Sequence, residues 1–274
     1  MLFYEYETMK LFLIVLLIFE SFILNGQNFS VLYELRVKDN KGSTKTLIYS
    51  LDILKNESVF RSSYQKTSDS LLTKKGYGYG YSTNIDEQIY IQKNIKTKEI
   101  RKVIVSPIMR DRIFIKIPDS LKWNIFAENR KIGSLNCKKI ETEYGGRHWT
   151  GWFTEDIPIL DGPYVFNGLP GLIIQINDTE QIFDFQVINI INNKEENLYI
   201  PKKGKKVSLE IFNKIRQDYY NDPFSYVKLI GAKAMEDDGS GGMKKIDIRE
   251  KTEMIRETIR NIIPIELNQK IEYK

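Results

Sequence analysis

Apolar and polar side chains alternate along much of this chain with a period of two, the pattern of strands that have one covered face. Val31, Tyr33, Leu35 and Val37 point one way, and Glu34, Arg36 and Lys38 the other. Leu47, Tyr49 and Leu51 repeat the pattern, as do Ile113, Ile115 and Ile117 against Arg112, Phe114 and Lys116. Trp123, Ile125 and Ala127 form another face, and Ile140, Thr142 and Tyr144 alternate with Lys139, Glu141 and Glu143. Leu172, Ile174 and Ile176 follow, then Phe183, Phe185 and Val187. Stretches near 58–64, 87–93, 100–105 and 147–154 also read as strands, giving about ten in all. Most are joined by short turn-like gaps, which favour antiparallel neighbours because parallel strands need long crossovers. Lysines and glutamates on the polar faces keep one side of such a sheet wet.

Two segments carry helical spacing instead. Leu209, Phe212, Ile215 and Tyr219 recur along one face, with Ser208 as N-cap and Asn221-Asp222-Pro223 as the stop. Ile248, Ile255, Ile259 and Ile262 share a looser face. There the pairs Asp247 with Lys251 and Arg249 with Glu253 suit the wet side, and Pro264 ends the run. Asp237 to Gly242 and Gly76 to Tyr81 read as loops. With no dividing linker and no repeat, residues 27–274 form a single β-rich domain.

The first 26 residues stand apart. Lys10 precedes the apolar run Leu11 to Phe19, and Leu24-Asn25-Gly26 before Gln27 suits a cleavage site, so residues 1–26 read as a signal peptide. Residues 1–8 carry two glutamates and no base, which places the true start at Met9. Glu20 cuts the apolar run short of the roughly 20 residues a membrane span needs. Export follows, to the periplasm or the outer-membrane exterior, with no integral span once the leader is removed.

Composition then narrows the chemistry. The chain has 41 basic and 36 acidic side chains, a formal charge of +5, one cysteine and one histidine. Removing Lys10 with Glu5, Glu7 and Glu20 takes away a net −2, so the remaining 248 residues carry +7. One cysteine excludes a disulfide framework, and one histidine excludes a multi-histidine metal centre. The surplus bases are scattered, with the densest run at Lys202 to Lys206, so nucleic acid is not a partner. No metal or other cofactor is implied.

The most unusual segment runs from Trp152 to Asp178. A strand ends at Thr154, an irregular crossing follows, and a new strand starts at Leu172. Pro158, Pro163 and Pro170 bias the residues before them to extended geometry, and Gly162, Gly168 and Gly171 allow positive φ or close backbone approach. Leu169-Pro170-Gly171 suits a type II turn with positive φ at Gly171. Gly168-Leu169-Pro170-Gly171-Leu172-Ile173 reads GLPGLI, and the sequence resembles the GLPGLI family of exported Gram-negative envelope proteins, named for that hexapeptide. Cys137-Lys138-Lys139, Gly146-Arg147 leading into Trp152-Phe153-Thr154, the lead-in Glu155 to Ile159 with Asp161-Gly162-Pro163, and Pro264-Ile265-Glu266-Leu267 extend the resemblance. It implies an exported, β-rich protein, and no catalytic residues are carried over. The layout also looks like the curved half-barrels of periplasmic lipoprotein carriers. The fold class expected is therefore α+β and β-dominated: a curved antiparallel, half-barrel-like sheet with one or two C-terminal helices.

Two functions of different class follow. In the first, the chain is a non-enzymatic binding or carrier module for an apolar small molecule, a lipid or an outer-membrane protein. Trp149, Trp152, Phe153, Tyr164 and Phe166 are then the candidate ligand-binding residues. In the second, the chain is a surface-acting, hydrolase-like enzyme using Glu155, Asp156 and Asp161 with Cys137 or His148. The discriminator is whether those polar groups converge. The hexapeptide, followed by a strand and not a helix, reads as a structural turn and not as a phosphate loop.

Overall fold

The computed structural model describes residues 28–79, 84–107, 111–118, 121–193, 197–201 and 204–273. The leader at 1–26 and the lysines Lys202 and Lys203 lie outside them. Chain order begins β1 (Asn28–Lys38), β2 (Thr44–Leu54), β3 (Glu57–Ser62), α1 (Ser63–Lys75), β4 (Tyr90–Asn94), β5 (Glu99–Val105) and β6 (Arg112–Ile117). It continues with β7 (Asn124–Ile132), β8 (Leu135–Tyr144), β9 (Arg147–Thr154), β10 (Leu172–Asp178), β11 (Phe183–Asn193) and β12 (Lys205–Lys206). The remainder is α2 (Leu209–Asn221), α3 (Ser225–Leu229), the hairpin β13 (Met235–Asp237) with β14 (Met243–Lys245), and α4 (Ile248–Arg260).

One 12-stranded sheet, ordered β12-β6-β5-β4-β3-β2-β1-β11-β10-β9-β8-β7, holds everything except the small hairpin. Every pairing in it is antiparallel except β12 on β6. The first half is a meander running outward from β1. The second half starts at the opposite edge with β7 and works inward until β11 pairs with β1. In a flat sheet β6 and β7 would stand about 48 Å apart, ten spacings of about 4.8 Å. The chain from Ile117 to Asn124 reaches about 25 Å at most. The sheet therefore curls, and it is curved and unclosed.

The inside of the curve is identified by what meets across it. Tyr33 and Phe60 from the first half meet Phe185 and Trp149 from the second in one buried cluster. The crossing between β9 and β10 reaches over the same face, where Asp161 touches β3 and β4. Alternation along β1 and β11 sends Val31, Tyr33 and Leu35 inward.

The outside of β2 and β3 is not wet. It is covered by α1, which periodicity placed partly in a strand near 58–64. Ser62 caps α1 and forms a capping box with Gln65, and Gly76 closes it in the left-handed region at φ 78°. Its buried residues are Gln65, Ser68 and Asp69, all polar, so it shows no apolar stripe. The sheet face beneath carries buried charge too, beside the small apolar cluster of Val59, Tyr90 and Val103. Arg61, fully buried, donates to Asp69 (2.7 Å) and to the carbonyl of Leu198 (2.6 Å). Lys66 reaches Asp52 at 2.6 Å, and Arg112 reaches Asp69 at 2.8 Å. Charge pairing in place of an apolar stripe makes this helix invisible to hydrophobic periodicity.

Other expectations shift in detail. β7 is an edge strand whose face of Ile125 and Ala127 is exposed. α2 ends at Asn221 as expected and buries Phe212, together with Arg216 and Tyr220. In α4, Asp247 is the N-cap and not a partner of Lys251, which pairs with Glu236, while Glu253 pairs with Arg256 and not Arg249. Among the described residues no helix is long and apolar enough to cross a membrane.

Candidate functional site

The antiparallel topology gives the curled sheet two ends. The β1–β2 turn, the start of α1 and the β8–β9 turn lie at one. The starts of β1 and β10 and the close of β9 lie at the other.

The second end is plugged by the crossing 155–171. Tyr164, Val165 and Phe166 are fully buried there, and Leu169 nearly so. Asp161 is the anchor of the plug: it pairs with Lys93 of β4, accepts from the Ser58 hydroxyl of β3, and caps the Gly162 N–H at 2.8 Å. Lys93 also donates to the Gly162 carbonyl at 2.7 Å. Burial pulls the Lys93 ammonium below the ordinary lysine value, and Asp161 opposes that pull. Tyr33 donates to the Ile173 carbonyl at 2.6 Å, tying the start of β10 to β1.

The hexapeptide sits at the exit of this plug. The expected type II turn is not what forms. Positive φ falls on Gly168, at 88°, and not on Gly171. Gly171 is required for another reason: a Cβ there would lie 2.0 Å from the Thr154 carbonyl oxygen. The hexapeptide is thus a place where two backbones touch.

A strap following α4 crosses the inside of the sheet from β5 to the β8–β9 turn. Arg147 donates to the carbonyls of Ile265 (3.0 Å) and Pro264 (2.9 Å), and its guanidinium also pairs with Asp178 at 2.8 Å. Asn268 N–H reaches the Gly145 carbonyl at 3.2 Å. Glu266, buried, accepts from Lys102 at 2.8 Å and from the hydroxyls of Tyr164 and Tyr144. Burial pushes the Glu266 carboxyl up, but Lys102 and the two hydroxyls outweigh it and hold it below the ordinary carboxylate value. Because the folded pKa is depressed, this stabilisation is present above the unfolded value of about 4.3 and is lost as pH falls below it. Acid unfolding of Glu266→Gln is therefore expected to show a flatter limb below about pH 4 than the unmodified chain, on a lower plateau at neutral pH because Lys102 loses its partner. Parallel acid limbs for the two proteins in circular dichroism would contradict this.

Between the sheet and the strap, at the first end, lies a cavity of about 500 Å³. Leu35, Leu47 and Tyr49 form its sheet wall, with Ile89 and Phe183 beside them. Ile262, Ile263 and Ile265, from the end of α4 and the strap, form the opposite wall. Lys38, Asp39, Lys45 and Glu87 stand around its edge. Asp39 accepts from the Lys41 and Ser43 N–H groups of its turn, and Asn40 ties that turn to the Asn261 carbonyl at 3.2 Å. Lys102, the one basic group deep in the wall, is already neutralised by Glu266.

Of the five aromatic candidates, Trp149, Phe153, Tyr164 and Phe166 are fully buried, and Trp152 is half-buried with Arg130 over its ring at 4.2 Å. None lines the cavity. Trp149 connects to it through the core: Tyr49 stacks on Phe60 at 5.1 Å, Phe60 meets Phe185, and Phe185 meets Trp149. Trp149 in turn meets Phe166 at 4.8 Å. The cavity walls were legible only in part. Leu35, Leu47 and Tyr49 lay on strand faces read as core, while the signal for the opposite wall is the apolar cluster Ile262, Ile263 and Ile265 around Pro264, past the helix.

The polar groups considered for catalysis do not converge. Cys137 is buried, which pushes its thiol up and away from the reactive thiolate. The hairpin registers Tyr144 with Arg147 and Lys138 with Phe153, so Cys137 falls beside Thr154, far from His148. His148 lies on the surface against Glu143 at 2.6 Å. Glu155 pairs with Lys138 at 2.9 Å, and Asp156 accepts from the Asn136 N–H at 2.8 Å, both exposed. Asp161 is buried, ion-paired with Lys93 and caps the Gly162 N–H, apart from Glu155 and Asp156. Among the described residues no three His, Cys, Asp or Glu side chains gather as a metal-binding group.

With this geometry in view, a family model described as a protein of unknown function (Porph_ging) matches residues 139–175, the stretch from β8 through the plug into β10. No curated protein matches the chain. Among solved structures, PNGF-II in its C2 crystal form is similar at 12% identity and a TM-score of 0.51, over 69% of this chain and 32% of that one. The chain thus spans about a third of the length of PNGF-II, and this likeness concerns fold alone. A LolA superfamily protein, NE2245 from Nitrosomonas europaea, aligns over 62% of this chain and 88% of its own at 8% identity and a TM-score of 0.27, too low to carry an argument.

Proposed function

We propose that this chain is an exported envelope protein that binds an apolar molecule in the open end of its curled sheet. The observation that carries the reading is the cavity of about 500 Å³, with facing aliphatic walls of Leu35 and Leu47 against Ile262, Ile263 and Ile265, and within the range of roughly 300–1,000 Å³ typical of ligand sites. Its polar groups lie at the edge or are paired off, so nothing in its depth asks for a polar substrate. The leader read at residues 1–26 supports export. The scattered polar residues Glu155, Asp156, Asp161, Cys137 and His148 give the enzyme reading no common site.

The test is native mass spectrometry of the protein isolated from its own envelope, paired with titration of the purified protein with the fluorescent apolar probe 1-N-phenylnaphthylamine. The expected result is an apolar adduct in the first and saturable uptake in the second, lost in a variant whose cavity is filled. A bare protein that also ignores the probe would overturn the reading.

A further inference from the structure

Resting on that reading, we infer that the cavity takes one hydrocarbon chain, and that its ligand is a single-chain amphiphile such as a long-chain fatty acid or a lysolipid. Three observations carry this. The first is size. A methylene occupies roughly the 30 Å³ of a liquid water molecule, so a cavity of about 500 Å³ holds about sixteen carbons. That is the carbon count of one long acyl chain.

The second is that the cavity is closed on its core side. Behind it the stacked Tyr49 and Phe60 lead to Phe185 and Trp149, and behind those lies the plug with Tyr164 and Phe166 fully buried. A chain cannot pass through that wall, so its polar terminus stays on the open side.

The third is the mouth itself. Lys38 and Lys45 are set against Asp39 and Glu87, and Asp86 is taken up by Arg216. Opposite charges in equal number give the mouth a place for a polar head without selecting its sign. Discrimination is then by chain number and length.

The experiment measures affinity of the full protein, by displacement of 1-N-phenylnaphthylamine, across saturated fatty acids from caprylate to arachidate. Palmitoyl lysophosphatidylcholine and dipalmitoyl phosphatidylcholine are presented in the same detergent. Affinity is expected to rise roughly fourfold per methylene, the equivalent of about 0.8 kcal/mol each, and to level off near palmitate. The lysolipid is expected to bind as palmitate does and the diacyl lipid not to displace the probe. Leu47→Trp, which takes volume from the sheet wall, is expected to move the levelling point to shorter chains, with circular dichroism and melting confirming its fold. Diacyl lipid binding as tightly as lysolipid, or affinity still rising through arachidate, overturns the single-chain inference while leaving the apolar-ligand reading intact. Failure of every chain to displace a bound probe overturns the single-chain inference alone, and a protein that takes up neither probe nor chain overturns both.

Discussion

Gly171→Val is expected to cost about 3 kcal/mol or more of unfolding free energy, enough to remove a large share of the stability of a typical domain. The cause is contact between backbones. The Cβ of any residue at 171 would sit 2.0 Å from the Thr154 carbonyl oxygen, and real Cβ atoms keep at least about 3 Å from such atoms. The clash cannot be relieved by rotating a side chain, because both partners are main chain. On one side Leu172 is registered with Thr154, and on the other its N–H is bonded to the Ile157 carbonyl at 3.1 Å. Either β9 and β10 part at their ends or the plug lifts, and both expose buried apolar surface. Gly168→Ala serves as the comparison. Its φ of 88° strains any L-residue, but a Cβ there meets nothing within 4 Å. That variant is expected to lose only about 1–2 kcal/mol. Urea denaturation of the two proteins separates the cases: equal midpoints would show that conformational freedom, and not close approach, is what the motif needs.

The second large effect is expected at the buried pair under the plug. Lys93 and Asp161 are 3% and 0% exposed at their side chains. Lys93→Met leaves the Asp161 carboxylate in the interior with only Ser58 and its own turn N–H for company. Removing one partner of a buried pair costs about 3–5 kcal/mol. Replacing both is expected to restore most of the loss, because a buried pair exchanged for well-packed apolar groups is often neutral. The measurement is a double-mutant cycle of Lys93→Met and Asp161→Leu in urea. Additive losses would show that the two residues act separately and that the plug is held by its aromatic packing alone.

The strand content of the fold was legible because its determinants are local. β1, β6, β8 and β10 alternate, their turns are short, and the hairpin around Gly145-Gly146 gives its register directly. What stayed hidden is non-local. The neighbours of β1 are β2 and β11, and nothing in either sequence announces that Val31 will lie opposite Ile190. α1 was missed because Gln65, Ser68 and Asp69 are its buried face, and a helix buried through polar side chains leaves no moment to detect. The plug was recognised as irregular from its prolines and glycines, but its depth depends on Lys93, sixty-eight residues earlier than Asp161. An isolated aspartate next to Gly-Pro reads as a turn residue until its partner is seen. The cavity was least legible, because two of its walls are separated by more than two hundred residues. The aromatic residues chosen from the sequence are large enough to dominate a core, and they do so. The aliphatic residues around them leave the space.

The placement of β1 has a consequence for the order in which the molecule can be completed. A chain emerging amino end first presents β1 through β6 as a meander with one long side of β1 unpaired. That side waits for Phe183–Asn193, made only after some 145 further residues beyond Lys38. Loop closure over such a separation is slow and comes late. The strap, Pro264 to Asn268, comes later still, and it neutralises Lys102 and satisfies Arg147. The growing chain is thus adhesive along β1 until Phe183–Asn193 has been made, and loses that adhesiveness when β11 pairs with it. Whatever accompanies it from the ribosome must shield a strand edge, and must let go for β11 to pair.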